Sequence, residues 1–222
     1  PLRYFFTLSK LIRDGSYDAV HVHGNSCTMV LELCAAALAG CKVRIAHGHS
    51  TGCKYQLLHT LLKPLLYALC THRLACGREA GKWLYGKQDF TIVRNSIDTE
   101  KFAYSITSRK QIRQALGIAE DQRVIGHVGR FNEGKNQKFL VDLLQLLSGK
   151  EPGWRLLLVG DGSLRKTVEQ QVKEAGLTDP VFFIGETHQV SDYLSACDWL
   201  VMPSLFEGLP LTLVEAQANA LP

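Results

Sequence analysis

The sequence has no long hydrophobic run, no paired-cysteine motif and no block of like charge, and each absence removes a class of protein. The longest apolar stretch, 29–40, carries Glu32 and falls short of the roughly 18 residues that a membrane-spanning helix needs, so no bilayer crossing is expected. Seven cysteines, at positions 27, 34, 41, 53, 70, 76 and 197, are odd in number, form no C-x-x-C pair and lie mostly inside apolar segments. That usage fits reduced core thiols of a cytoplasmic protein. The 25 basic and 21 acidic residues leave a net charge of +4 with no dense basic run, which gives no support for nucleic-acid binding. Internal repeats and low-complexity tracts are also missing. With 46% apolar and 21% charged residues over 222 positions, the chain is rich enough for a packed core and is not a disordered one.

What is present is an alternation of short aliphatic runs with amphipathic stretches almost from end to end, the pattern of parallel sheets covered by helices. The fold class is therefore α/β. Strands are expected near 19–23, 43–47, 73–76 and 91–93 in the first half, with helices near 2–13, 28–39, 57–69 and 79–85. In the second half strands are expected near 124–128, 156–159, 181–184 and 200–202, with helices near 136–147, 164–175, 191–196 and 211–220. The mixed polar segment 95–121, with one short helical run near 111–116, marks a boundary, giving domains of 1–104 and 105–222.

Open parallel sheets bind ligands beyond the carboxyl ends of their strands, so those ends are where chemistry is sought. After Val128 comes Gly129-Arg130-Phe131-Asn132-Glu133-Gly134-Lys135-Asn136, in which Arg130 and Lys135 can flank one anion, as a diphosphate requires, although a solvated loop would carry the same charges. After the last strand comes Pro203-Ser204-Leu205-Phe206-Glu207-Gly208-Leu209-Pro210-Leu211, with Glu215 on the helix that follows. Pro210 suits a first helical turn, and the amides around Gly208, Leu209 and Leu211, together with the helix dipole, would attract phosphate. Glu207 and Glu215 would repel a phosphate, so hydroxyls are their natural partners, a sugar on one side and a ribose on the other. The plainer alternative is one surface glutamate and one ordinary helix-start glutamate.

Two other patterns are weaker. Gly160-Asp161-Gly162-Ser163-Leu164-Arg165 misses the dinucleotide fingerprint because Arg165 stands where the third glycine belongs, so it is read as a tight turn at a pocket floor, with Glu186 after the next strand bordering a base pocket. The pairs His21-Val22-His23 and His47-Gly48-His49 have a spacing that strand-end metal ligands use, but no H-E-x-x-H or D-x-D pattern accompanies them, and no metal is expected. A histidine at the rim of an interdomain cleft would instead meet a sugar hydroxyl or stabilise developing positive charge through its carbonyl. The basic, apolar segment 54–73 is a candidate for peripheral contact with an anionic membrane surface, or simply a core helix.

Taken together, Val128-Gly129-Arg130 with Glu133-Gly134-Lys135-Asn136, Leu158-Val159-Gly160-Asp161-Gly162, the run from Pro203 to Glu215, and Arg94-Asn95-Ser96-Ile97-Asp98 resemble the retaining nucleotide-sugar glycosyltransferases of family 4. That resemblance implies the GT-B architecture, two Rossmann-like domains facing across a cleft. It implies that Arg130 and Lys135 hold a donor diphosphate, Glu215 binds ribose hydroxyls, Glu207 contacts the transferred sugar, and the amides from Gly208 to Leu211 cradle phosphate. A cleft histidine is implied near Ala46-His47-Gly48-His49-Ser50, His49 being preferred over His47. The implied partners are a nucleotide-diphosphate sugar and a glycan or lipid-linked acceptor, with no metal or other cofactor, in bacterial capsular or exopolysaccharide synthesis on the cytoplasmic side. Ser96 departs from the family's glycine. A first strand with a glycine-rich loop is expected to precede Pro1 and more chain to follow Pro222, so both domains are expected to be incomplete and the piece alone nearly inactive. An NAD-type oxidoreductase, a metal-dependent hydrolase using the histidine pairs, and a sugar-nucleotide-binding module without transfer are the alternatives.

Overall fold

The computed structural model describes residues 2–222, which divide into two compact units: the residues up to Asn95 together with Phe206–Leu209, and Ser96–Leu205 together with Pro210–Pro222. Each is a parallel α/β sheet, the class the alternation predicts.

In the first unit β1 (Ala19–Gly24), β2 (Val43–Gly48), β3 (His72–Ala75) and β4 (Thr91–Ile92) lie in sequence order, all parallel. Helix α1 (Leu2–Asp14) precedes β1, helices α2 (Val30–Leu38), α3 (Gln56–Leu69) and α4 (Arg78–Tyr85) connect the strands, and a 3-10 turn at Cys27–Met29 precedes α2. The core gathers Cys27, Leu33, Ala46, Leu66, Ala75, Leu84 and Tyr85. All seven cysteines are free, five of them buried, as core thiols should be. Among the described residues no helix is long and apolar enough to cross a membrane.

In the second unit β5 (Arg123–Val128), β6 (Trp154–Val159), β7 (Val181–Gly185) and β8 (Trp199–Leu200) take the order β7-β6-β5-β8. The chain steps outward from β5 to β7 and then returns to the other side of β5, so the order reverses between β5 and β8, the place where open α/β sheets bind ligands. Both faces are covered by α5 (Ile106–Ala115), α6 (Gln137–Lys150), α7 (Arg165–Glu174), α8 (Val190–Ala196) and α9 (Leu211–Ala218). Strand β6 therefore sends Leu156 and Leu158 to one core cluster and Leu157 and Val159 to another, which is why it reads as an unbroken apolar run.

Helix α5 begins five residues before the expected 111–116. Its first turn offers no apolar period, because what it buries is cationic. Ser105 caps it by accepting from the Ser108 amide at 3.1 Å. Arg109 reaches Asp198 at 2.7 Å, and Arg113, only 1% exposed, donates to the carbonyls of Ala119 at 2.8 Å and Ala196 at 3.1 Å and to that of Gln122. Asp198 in turn accepts from the Val124 amide at 2.8 Å and so ties α5 to the start of β5. Strand β8 is shorter than expected, because Pro203 lacks a ladder donor and pairing stops after the Val201 amide reaches Gly126 at 3.0 Å. Replacing Arg113 by Met strands several buried acceptors. Arg113→Met is expected to cost on the order of 3 kcal/mol in denaturant unfolding, and an unchanged midpoint would show that the network is not structural.

Candidate functional site

The second unit's candidate residues stand at the end of β5 and around it. Beyond Val128 the sheet pairing continues, Gly129 donating to Val159 at 3.0 Å and Phe131 to Asp161 at 2.9 Å. Phe131 is fully buried and pins the loop to the core. The turn after β6 presses on this backbone. A Cβ on Gly160 (φ +127) would lie 2.3 Å from the Gly129 carbonyl oxygen, and one on Gly162 (φ +156) 2.4 Å from that of Phe131. Both angles also lie where side chains are disfavoured, so only glycine fits at either place. The tight-turn reading of this segment agrees with that geometry.

The rest of the loop is held as firmly. Asn132 accepts the Lys135 amide through Oδ1 at 3.0 Å, and Asn136, in the left-handed region at φ +54, donates from Nδ2 to the Pro203 carbonyl at 3.3 Å. The Leu205 amide donates to Gly134 at 2.9 Å, lacing the loop after β5 to the one after β8. Beneath it Gln137 donates to the Arg130 carbonyl at 2.9 Å and to His127 Nε2 at 3.2 Å, while His127 Nδ1 donates to Val201 at 3.0 Å. The Arg130 side chain is exposed. The Lys135 stem crosses Gly129, its Cδ and Cε each 3.5 Å from where a Cβ there would sit.

Gly129 also lines a cavity of about 570 Å³, walled by Val128, Val159, Gly160, Glu186, Thr187, His188 and Val190. Glu186 thus borders a hollow over the ends of β5 and β6. The Asp161 carboxylate accepts from the Gly162 amide at 2.6 Å and from Arg165 at 3.0 Å, which hold its pKa below the usual range. Arg165 also pairs with Glu169 at 2.8 Å and lies over the Phe183 ring. Leu211 opens α9 with its side chain exposed, and Glu215 on the same helix is half-buried. Burial pushes the Glu215 carboxyl upward in pKa, and Lys101 opposes the shift.

The first unit holds the other candidates. The segment 206–209 is pressed onto the ends of β2 and β3: Thr51 donates to the Glu207 carbonyl at 2.8 Å and Asn95 to the Leu209 carbonyl at 2.7 Å. A Cβ on Gly208 would stand 2.3 Å from the His49 carbonyl oxygen and 2.8 Å from Cys76 Sγ, so this residue too has no room for a side chain. His49 and His47 therefore lie in the same unit as Glu207, Gly208 and Leu209. Burial, reinforced by the neighbouring imidazoles, pushes the pKa of His47 down to about 4 and also lowers that of His49.

Nothing in the charge pattern of the sequence singles out His127, Gln137 or Asn132, whose hydrogen bonds support the cationic loop. A histidine inside an apolar strand, followed by a glutamine at the start of the next helix, was the available signal. The cavity wall formed by Thr187 and His188 carried none.

Residues 108–222, just over half of the chain, match the sequence pattern of the glycosyl transferases group 1, and the chain belongs to that family. It is 37% identical over 236 residues to a Bacillus subtilis (strain 168) protein named as a glycosyltransferase, EpsF, covering all of this chain and 61% of that one. It is 30% identical to the Escherichia coli UDP-Gal:alpha-D-GlcNAc-diphosphoundecaprenol alpha-1,3-galactosyltransferase, covering all of this chain and 60% of that one. The chain thus spans about three fifths of these relatives. The crystal structure of Anabaena Alr3699/HepE in complex with UDP-glucose superposes with a TM-score of 0.81 at 21% identity, over 98% of this chain and 61% of that one, and shows the fold to be of the GT-B kind.

The desolvated Glu215 gives a testable sign. Its ionised form is penalised in the folded state, so Glu215→Gln is expected to raise the unfolding midpoint slightly at neutral pH. The gain should vanish once the pH falls below the ordinary carboxyl value of 4.5, where the carboxyl is protonated in both folded and unfolded chains. A loss of stability at neutral pH would contradict that environment.

Proposed function

We propose that the whole protein transfers a sugar from a nucleotide-diphosphate sugar to a glycan or lipid-linked acceptor, with retention at the anomeric carbon and without a metal at the diphosphate. The observation that carries this reading is the immobilised loop after β5, which brings the Lys135 stem across Gly129 at the edge of the cavity bordered by Glu186. A cavity of that size suits a nucleobase and ribose. Arg130 and Lys135 would neutralise the diphosphate, and more strongly as charge builds on the departing phosphate, the work a metal does elsewhere. Glu215 would accept from the ribose hydroxyls.

In this reading Glu207 meets the transferred sugar, the amides of Gly208, Leu209 and Leu211 add donors to the phosphate, and His49 or His47 meets a sugar hydroxyl. The low pKa of both histidines keeps them neutral at physiological pH, so each can accept a proton or a hydrogen bond. Glu207 is not assigned as a nucleophile. The acceptor hydroxyl attacks from the face the phosphate leaves, and the departing phosphate oxygen takes its proton.

The UDP-glucose bound by Anabaena HepE and the diphosphoundecaprenol-linked acceptor in the name of the Escherichia coli relative support a UDP-sugar donor and a lipid-linked acceptor. A place in bacterial polysaccharide synthesis, on the cytoplasmic side of the plasma membrane, accords with both. Helix α3 presents Leu57, Leu61 and Leu65 to solvent on one face while His59 and Leu66 are buried, a surface suited to peripheral contact with a membrane.

The test is transfer by the full-length enzyme from a panel of nucleotide sugars. Lys135→Ala is expected to lower the rate on the order of a hundredfold or more with the fold intact, and Glu215→Gln to weaken donor binding. Unchanged turnover in Lys135→Ala would remove the diphosphate role, and binding without transfer would reduce the protein to a sugar-nucleotide-binding module. The 222-residue chain alone is expected to be nearly inactive, and robust turnover by it would refute that part.

A further inference from the structure

Side chains two residues apart on a strand point to the same face, and parallel strands in register place such pairs side by side. Strand β1 carries His21 and His23, and β2 carries His47 with His49 one residue beyond its end. The register sets His23 directly against His47. Four imidazoles therefore share one face at the carboxyl end of the first sheet. The His21 and His47 rings lie parallel within 4°, with His21 Nε2 3.2 Å from His47 Nδ1. His23 Nδ1 is 2.8 Å from His49 Nε2. One ligating nitrogen from each of His21, His23 and His47 falls within 4.8 Å of the others.

We propose that His21, His23 and His47 form a binding site for a borderline divalent transition-metal ion such as Zn²⁺, with Co²⁺ and Ni²⁺ as alternatives of the same class. Two nitrogens each about 2.05 Å from a tetrahedral ion stand roughly 3.3 Å apart, and the His21–His47 pair already has nearly that separation. The third nitrogen, within 4.8 Å of the others, needs a shift of up to about 1.5 Å, which a side-chain rotation supplies, since His21 and His23 are exposed. His47 is buried at 4% exposure and fixed by the strand, so it anchors the set. His49, bonded to His23, orients that ring as an outer partner orients a ligating imidazole.

The donor set selects the ion. Three imidazoles suit zinc, cobalt, nickel and copper, whereas magnesium and calcium prefer oxygen. Three protein ligands leave a coordination position for water or an exogenous ligand. A way in exists: His21 and His23 line a hollow of about 400 Å³ bordered by Tyr4, Asn25 and Glu32, the last being its one carboxylate. The ion is not the counter-ion of the donor diphosphate, a charge given above to Arg130 and Lys135, and the site stands on geometry whether or not the transfer reading holds.

The experiment is titration of Zn²⁺, and separately Co²⁺, into the chelator-stripped chain, read by calorimetry and, for Co²⁺, by visible absorption. One ion per chain is expected, with ligand-field bands of a nitrogen site and no thiolate charge-transfer band, and Mg²⁺ should give no comparable binding. His21→Ala and His23→Ala, both at exposed positions and checked for fold by circular dichroism, should each weaken Zn²⁺ binding by about a hundredfold or more, since loss of a ligand costs at least as much as loss of an outer partner. No saturable Zn²⁺ binding, a thiolate signature from the free cysteines, or equal affinity in folded variants would each overturn the assignment.

Discussion

The reversal of strand order beside β5 is the constraint on which the second unit's candidate site depends. It opens the sheet at its carboxyl edge, and the loop that leaves β5 there is fixed by its neighbours rather than by its own composition. Contact between the 129–131 backbone and the turn after β6 is so close that a methyl group on either Gly160 or Gly162 would overlap a carbonyl oxygen. From that contact the hold passes through Phe131 to the core and through Gln137 and His127 to the β8 side. A cationic side chain serves a transition state only when its reach is fixed before charge develops. Here the main chain does that fixing, and in the proposed reading the arginine and lysine side chains would supply the charge.

The polar groups around this loop are arranged with corresponding economy. Asp161, in the segment read from sequence as a tight turn, accepts from Arg165 and from the Gly162 amide and so shapes the glycine bend. Glu215 stands the other way, half-buried, with burial raising its pKa and Lys101 opposing the shift. In the first unit a comparable pressure appears at Gly208, where backbone meets backbone and a cysteine sulfur.

Most of the fold was legible in the sequence because burial on both faces of parallel sheets writes itself as short aliphatic runs. Strands β1, β2, β5 and β6 and helices α3, α4, α6 and α7 lie within a residue or a few of their expected places. Helix α5 was only half legible, since its buried side chains are Arg109 and Arg113, whose period an apolar scan passes over. In the candidate site, Arg130, Lys135, Glu207 and Glu215 were proposed from charge next to glycine at strand ends. The supporting residues His127, Gln137 and Asn132 were not, because hydrogen bonds to main-chain carbonyls leave no compositional trace. The histidine pairs were visible, but only the register of β1 on β2 reveals that the two pairs meet.

The most direct measurement is calorimetric titration of uridine, UMP and UDP into the chain and into the Arg130→Ala, Lys135→Ala double variant. If fixed cations at the end of β5 grip a diphosphate, affinity should rise by on the order of tenfold from UMP to UDP, and that step should disappear in the variant while the weaker nucleoside contribution survives. Equal affinity for UMP and UDP, or a diphosphate increment intact in the folded double variant, would contradict the account.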